Sequence, residues 1–243
     1  MGIRKSTINK YFKVEIGDIP IVLSCPHGGH KKPENIQDII NGAKLSDRNT
    51  LKLAKKIISK LKEKGHKLYS ILCKIHRSKL DLNRPPGSSV AFNQSSQEAR
   101  ELHYFFQRKL KELAKDCVSL HNKCFIIDFH GFTKPNEKYP EIIFGNIFSN
   151  TLSICTIRTD ESKQFWGLEE LKKELSQHFT LDDGLGINDL NLAYSGGYIT
   201  HLFYRKEKIN ALQIEVSENI RHEITEADKF ITDFVNGLLK CLK

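Results

Sequence analysis

The sequence lacks several features that would assign it to a specialised class of protein. No apolar run approaches the roughly 20 residues that a membrane-spanning helix needs, and the basic N-terminal residues precede no apolar segment, so neither a membrane protein nor a secretory signal is expected. None of the six cysteines forms a Cys-x-x-Cys pair, which argues against a disulfide framework or a cysteine zinc site. We therefore expect reduced, buried thiols in a cytoplasmic protein.

Acidic residues are fewer than basic ones, since the 29 aspartates and glutamates are outnumbered by 38 lysines and arginines, and the net charge is +9. A basic non-enzymatic protein that binds nucleic acid or another polyanion is therefore one hypothesis. Many lysines, however, lie on the solvent face of an amphipathic pattern at residues 53–64. Helix-turn-helix and aromatic RNA-binding signatures are missing, so a nucleic-acid partner is not expected, although the positive field can attract an anionic substrate.

Apolar strand patterns alternate with long helical patterns along the chain. Residues 11–16 and 19–25 are predicted to form a hairpin, and Ser46 is predicted to cap a helix that runs to about Lys64 and ends at Gly65. Alternation of this kind predicts an α/β fold with a mixed, mostly parallel sheet between helical layers, in a single domain over residues 1–243. The ligand site of such a sheet lies beyond the carboxyl ends of the strands.

Two histidines stand at predicted strand ends, and each is followed by glycine. His27 and His130 are thus placed as neighbouring imidazoles, which suit zinc. A catalytic zinc needs a third protein ligand, for which His30, Glu34 and Asp47 are the candidates. We prefer Asp47, because the first turn of the helix predicted there should lie just beyond the sheet edge, beside His27.

Other polar residues near the strand ends could carry the chemistry. Glu215 interrupts an apolar strand, and a buried carboxylate beside a zinc-bound water would act as a general base. Asp128 shares a strand face with His130 and could orient it. Arg77 could polarise a scissile carbonyl, and Arg84 could hold a substrate carboxylate through two hydrogen bonds.

A glycine pair at Gly196 and Gly197 forms a flexible turn that could close over the substrate or offer backbone N–H groups.

These stretches occur in the order found in the N-formylglutamate amidohydrolase family, which the chain resembles. The resemblance lies in residues 23–29 (Leu-Ser-Cys-Pro-His-Gly-Gly), 76–84 (His-Arg-Ser-Lys-Leu-Asp-Leu-Asn-Arg), 128–130 (Asp-Phe-His), 195–200 (Ser-Gly-Gly-Tyr-Ile-Thr) and 212–215 (Leu-Gln-Ile-Glu). That family is similar to zinc carboxypeptidases and aspartoacylases. The resemblance implies a three-layer α/β/α sandwich, one Zn²⁺ per chain and hydrolysis of the amide of a small N-acyl amino acid, with N-formylglutamate as one candidate.

Residue by residue, the resemblance implies a role for each matching position. His27 and His130 become zinc ligands and Glu215 the general base, while Asn83 and Arg84 hold the substrate carboxylate and Arg77 polarises the carbonyl. Carboxypeptidase-like enzymes carry His-x-x-Glu, where this chain has His30 in the fourth position. The third ligand therefore stays open among Asp47, Glu34 and His30, and a related peptide or cell-wall amide hydrolase is the alternative activity.

Overall fold

The computed structural model describes residues 4–159 and 163–243, so the first three residues of the N-terminal stretch discussed above lie outside it. The described strands are β1 (Phe12–Glu15), β2 (Ile21–Cys25), β3 (Tyr69–Cys73), β4 (Cys124–Phe132), β5 (Ile142–Gly145), β6 (Cys155–Arg158), β7 (Lys163–Phe165), β8 (Leu181–Asp182) and β9 (Ile209–Ser217). The described helices are α1 (Lys5–Tyr11), α2 (Thr50–Glu63), α3 (Gln97–His121), α4 (Leu168–Leu175), α5 (Asp189–Ala193), α6 (Tyr198–His201), α7 (Glu218–His222) and α8 (Ile224–Lys240).

Seven of these strands form a mixed sheet in the order β1-β3-β2-β4-β9-β5-β8, while β6 and β7 pair separately. The central strands β3, β2, β4 and β9 run parallel, and β1 and β5 pair antiparallel to β3 and β9. The α/β prediction is confirmed, but the predicted hairpin is wrong, since β3 lies between β1 and β2. All five residues of β2 are buried, and such a nearly continuous apolar strand is typical of a parallel sheet whose two faces are both covered by helices.

Helices cover both faces of the sheet and complete the predicted sandwich. Apolar side chains of α2, α4 and α8 pack on one face, and those of α3 pack on the other. Strand β4 shows how the two cores are separated: Phe125 and Ile127 belong to the first and Ile126 to the second, as the alternation of side chains along a strand requires. None of the helices in residues 4–159 and 163–243 combines the length and apolar character that a bilayer crossing requires.

The start of α2 differs from the prediction in a way that affects Asp47. The helix begins at Thr50, and its N-cap is Asn49, in the left-handed region with a φ of 66°. Asp47 therefore lies in the preceding loop, where its N–H donates to His27 O at 3.2 Å. This bond ties the loop to the segment that follows β2, so that Asp47 stands beside His27 without belonging to the helix. The predicted end at Gly65 is confirmed by its φ of 84°.

Candidate functional site

A polar site replaces the apolar core at the carboxyl ends of the parallel strands, on the face covered by α3. Asp128 and His130 alternate along β4 with core residues of the opposite face, and Gln213 and Glu215 do the same along β9. The register pairs Asp128 with Gln213 and His130 with Glu215. The parallel arrangement therefore brings together four polar residues that are distant in sequence.

Two buried imidazoles form the centre of this site. His27 and His130 are 1% and 2% exposed, and their ring centroids lie 4.8 Å apart. Their Nδ1 atoms lie 3.7 Å and 3.4 Å from Asp47 Oδ2. Their Nε2 atoms lie 2.7 Å from Asp81 Oδ1 and 2.9 Å from Asp128 Oδ2. A proton on each Nε2 is favoured by these carboxylates, which leaves the Nδ1 lone pairs directed at Asp47.

The donor atoms fit a metal ion. One ligand atom from each of His27, Asp47 and His130 lies within 4.8 Å of the others, and a tetrahedral ion with bonds of about 2.1 Å would set its ligands about 3.4 Å apart. His27 Nδ1 is buried without a hydrogen-bond partner in the described structure, as expected for a nitrogen whose lone pair serves a metal. The carboxylates behind both Nε2 atoms match the outer-shell partners of metal-binding histidines. This group could therefore hold a metal ion.

The other candidates for a third ligand are placed elsewhere. His30 is exposed and lines a separate cavity at the start of α2, and Glu34 is exposed in the loop that follows. Only one of the three candidates therefore contacts the imidazole pair, which favours Asp47 as the third ligand.

The electrostatics of the centre also favour a cation. Burial alone would raise the pKa of Asp47, but the neighbouring His130 and His27 imidazoles, when positively charged, hold that pKa well below its ordinary value. Burial would lower the pKa of His130, but the Asp128 and Asp47 carboxylates outweigh burial and raise it well above its ordinary value. The pKa of Asp81 is likewise lowered, because the charge of His27 outweighs burial. Several buried carboxylates thus stabilise positive charge at the imidazoles, whether a proton or a metal ion supplies it.

Glu215 lines a cavity of about 330 Å³ together with His27, Asp47 and His130. Burial raises the pKa of Glu215, although the charge of His130 opposes this shift. Its Oε1 accepts a hydrogen bond from Gln213 Nε2 at 2.9 Å. A raised pKa brings a carboxylate closer to the range in which it exchanges protons near neutral pH.

Two arginines line the cavity, and they differ in how strongly other residues fix their side chains. Arg77 is fixed, because its Nε donates to Asp81 Oδ2 at 2.9 Å and its Nη1 lies 3.4 Å from Asp47 Oδ1. The side chain of Arg84 is 49% exposed, and its closest carboxylate oxygen, on Asp81, is 4.0 Å away. Arg77 therefore offers a fixed positive charge inside the site, whereas Arg84 offers a guanidinium at the mouth that a ligand carboxylate could take up.

Asn83 packs against the glycine turn and is hydrogen-bonded to it. Asn83 Oδ1 accepts from Ile199 N at 2.8 Å, and a Cβ at Gly197 would collide with the Asn83 side chain. The N–H of Gly197 donates to Gln213 Oε1 at 2.6 Å. Gly196 and Gly197 both line the cavity. The N–H of Gly197 already donates to Gln213, so this N–H is not free for a ligand. The lack of a side chain at Gly197 instead allows the backbone to approach Asn83 closely.

Sequence reasoning gave no role to two residues that the structure places at the site. Asp81 contacts both His27 and Arg77, and Gln213 contacts both Glu215 and the glycine turn. The available signals were weak: Asp81 lies between Leu80 and Leu82 in a polar string, and Gln213 shares a strand face with Glu215. Neither pattern identifies the distant partner, because the Asp81–His27 and Gln213–Gly197 contacts join separate segments of the chain.

The fold and the site define an α/β/α sandwich with a His–Asp–His centre at the carboxyl ends of its parallel strands. No family model matches the chain, and no curated protein matches its sequence. Among solved structures, it is similar to the N-formylglutamate amidohydrolase from Ralstonia eutropha JMP134, at 14% identity and a TM-score of 0.65 over 95% of this chain and 97% of that one. A gene product of Agrobacterium tumefaciens matches at 15% identity and a TM-score of 0.69, over 98% and 96%. At these identities the likeness is one of fold, and it confirms the architecture that the family resemblance implied.

Proposed function

We propose that the protein is a zinc-dependent amidohydrolase that cleaves the amide of a small N-acyl amino acid, with N-formylglutamate as one candidate substrate. The observation that carries this proposal is the pair of buried imidazoles whose Nδ1 atoms face Asp47, with Glu215 on the wall of the same cavity. The similarity in fold to an N-formylglutamate amidohydrolase supports the reaction class. One zinc per chain would be held by His27, Asp47 and His130.

A zinc ion bound there would polarise an amide carbonyl and lower the pKa of an attacking water. Glu215 takes the proton from that water and transfers it to the leaving amine nitrogen. Its burial suits this role, because a carboxylate removed from bulk water binds and releases a proton more readily near neutral pH. Arg77 places its fixed positive charge where the carbonyl oxygen gains negative charge.

Substrate recognition is assigned to the mouth of the cavity. Arg84 holds the substrate carboxylate through paired hydrogen bonds, and Asn83 shapes the subsite by fixing the turn that carries Gly196 and Gly197. A cavity of about 330 Å³ suits a small molecule. We further propose a cytoplasmic location for a single domain over residues 1–243, supported by six free cysteines, five of which are buried.

The proposal is tested by measuring zinc content and hydrolysis on a panel of N-acyl amino acids and small peptides. The wild type is expected to hold about one zinc per chain and to prefer N-acyl amino acids, whereas a His27→Ala, His130→Ala double variant loses the metal. Glu215→Gln should retain zinc but lose turnover by roughly 10²- to 10⁴-fold. Glu207→Gln, at an exposed position, is the matched control and should behave as wild type.

Two results would reject this function. The first is a near-wild-type rate for Glu215→Gln. The second is a wild type that binds no metal when zinc is supplied, and salt-dependent binding of nucleic acid in that protein would favour the polyanion-binding hypothesis instead. Preference for peptides over N-acyl amino acids would keep the zinc site but change the substrate class.

A further inference from the structure

We infer that Gln213 is a positioning residue that links the base Glu215 to the turn at residues 195–199. The inference rests on the proposed function for the role of Glu215, but its geometry is independent of any reaction. Gln213 is 6% exposed. Its Nε2 donates to Glu215 Oε1 at 2.9 Å, and its Oε1 accepts from Gly197 N at 2.6 Å. A second donor, Asn83 Nδ2, lies 3.4 Å from the same oxygen.

The chemistry of the side chain matches this position. A primary amide is a donor at one end and an acceptor at the other, and here the donor end faces a carboxylate while the acceptor end faces a backbone N–H. An apolar residue of the same length would leave the Gly197 N–H without its partner, and a buried polar group without a partner is costly. Both requirements are met by an uncharged amide long enough to reach from β9 to the turn.

The bond to Glu215 determines which carboxylate oxygen is available. With Oε1 engaged by Gln213, Oε2 is the less engaged oxygen and the better placed of the two to take a proton, since no hydrogen bond from another described residue reaches it. The bond also restricts rotation of the carboxylate about its terminal torsion. A base held in one orientation needs less reorganisation before proton transfer than one that rotates freely.

The bond to Gly197 connects the base to the surface that a substrate would contact. The turn lines the same cavity as Glu215, and Asn83 holds it at Ile199. A substrate bound against this turn would therefore contact the segment to which Gln213 is hydrogen-bonded, and Gln213 in turn orients Glu215. This arrangement assigns to Gln213 an effect mainly on kcat, whereas a residue that only grips the substrate affects mainly KM.

The test compares Gln213→Met with wild type, because methionine has a similar length and no amide. Gln107→Met is the matched control: Gln107 is also 6% exposed and donates to Leu82 O at 2.7 Å, in the loop that carries Asn83, but it has no contact with Glu215. For each protein, kcat, KM and zinc content are measured, together with hydrogen exchange of the Gly197 amide by NMR in the absence of substrate. Gln213→Asn, which stays polar but is too short to span both partners, replaces the methionine variant if that variant does not fold.

Gln213→Met is expected to lower kcat by on the order of 10- to 100-fold, with zinc content and KM near wild type and faster exchange at Gly197. Gln107→Met should leave kcat and Gly197 exchange unchanged. An unchanged kcat in Gln213→Met would overturn the positioning of the base, and unchanged exchange would overturn the link to the turn. If the wild type hydrolyses nothing on the panel, the proposed function fails, and the exchange comparison alone decides whether Gln213 holds the turn.

Discussion

Replacing Asp47 by alanine tests the metal centre most directly, because the three candidates for the third ligand predict different outcomes. Asp47 is 7% exposed, and its Oδ2 lies 3.7 Å and 3.4 Å from the Nδ1 atoms of His27 and His130. His30 and Glu34 are exposed and do not belong to this group of neighbouring donor atoms. The variant should therefore weaken zinc binding, while His30→Ala and Glu34→Ala should leave it within about threefold of wild type, since neither removes a ligand.

The size of the effect follows from the number of ligands. Zinc binding by four-ligand structural sites is worth about 10–16 kcal/mol, or about 3 kcal/mol for each ligand if the contributions are similar. Loss of one ligand should then weaken zinc binding by about 100- to 1,000-fold. Asp47 also accepts a hydrogen bond from Gly131 N at 3.1 Å. Without metal, the Asp47→Ala variant should therefore have a free energy of unfolding ~1–3 kcal/mol below that of the metal-free wild type.

Zinc affinity is measured by competition with a chromophoric chelator at fixed pH, and the free energy of unfolding by denaturant titration of the metal-free proteins. The second measurement is needed because a partly unfolded variant would bind zinc weakly for a trivial reason. An Asp47→Ala variant that stays folded and binds zinc within threefold of wild type would refute the assignment. A large loss of affinity in Glu34→Ala would move the ligand to the loop at residues 30–44.

Three further predictions concern recognition, packing and pH. Arg84→Ala should raise KM by about 10- to 100-fold with little change in kcat, because a charged hydrogen-bonded pair is lost, whereas Arg108→Ala, at a side chain 73% exposed, should not. Leu110→Ala should lower the free energy of unfolding by about 2–5 kcal/mol in a denaturant titration, and Leu120→Ala in the same helix by far less, since these leucines are 0% and 66% exposed; equal losses would contradict the packing. Burial lowers the pKa of His103 from 6.5 to about 4, so the unfolded state alone gains a proton between these values and stability should fall by about 3 kcal/mol as the pH drops through them. Metal-free His103→Gln should lack this part of the pH dependence, and an identical pH profile would contradict it.

The order of secondary structure and the place of the site could be predicted from local patterns. Residues 21–25 and 124–129 are nearly uninterrupted apolar runs, which can only be buried. Serine is a favoured N-cap residue, and Ser96 takes that role at α3 by accepting from Ala99 N at 3.2 Å. Since parallel strands place their carboxyl ends at one edge, His27, His130 and Glu215 could be predicted to meet there. The hairpin prediction was wrong because sequence adjacency does not specify which strand occupies the neighbouring position in a sheet.

The sequence by itself therefore determined the α/β alternation, the buried strands and the residues that end them, because these depend on side chains a few positions apart. Only the tertiary structure decided that Asp47, and neither His30 nor Glu34, stands beside the imidazoles. The path of the 24-residue loop between β2 and α2 depends on long-range bonds such as that from Asp47 N to His27 O. The contacts of Asp81 with His27 and of Gln213 with Gly197 were decided in the same way, since these partners come from separate segments that only the fold brings within hydrogen-bonding distance.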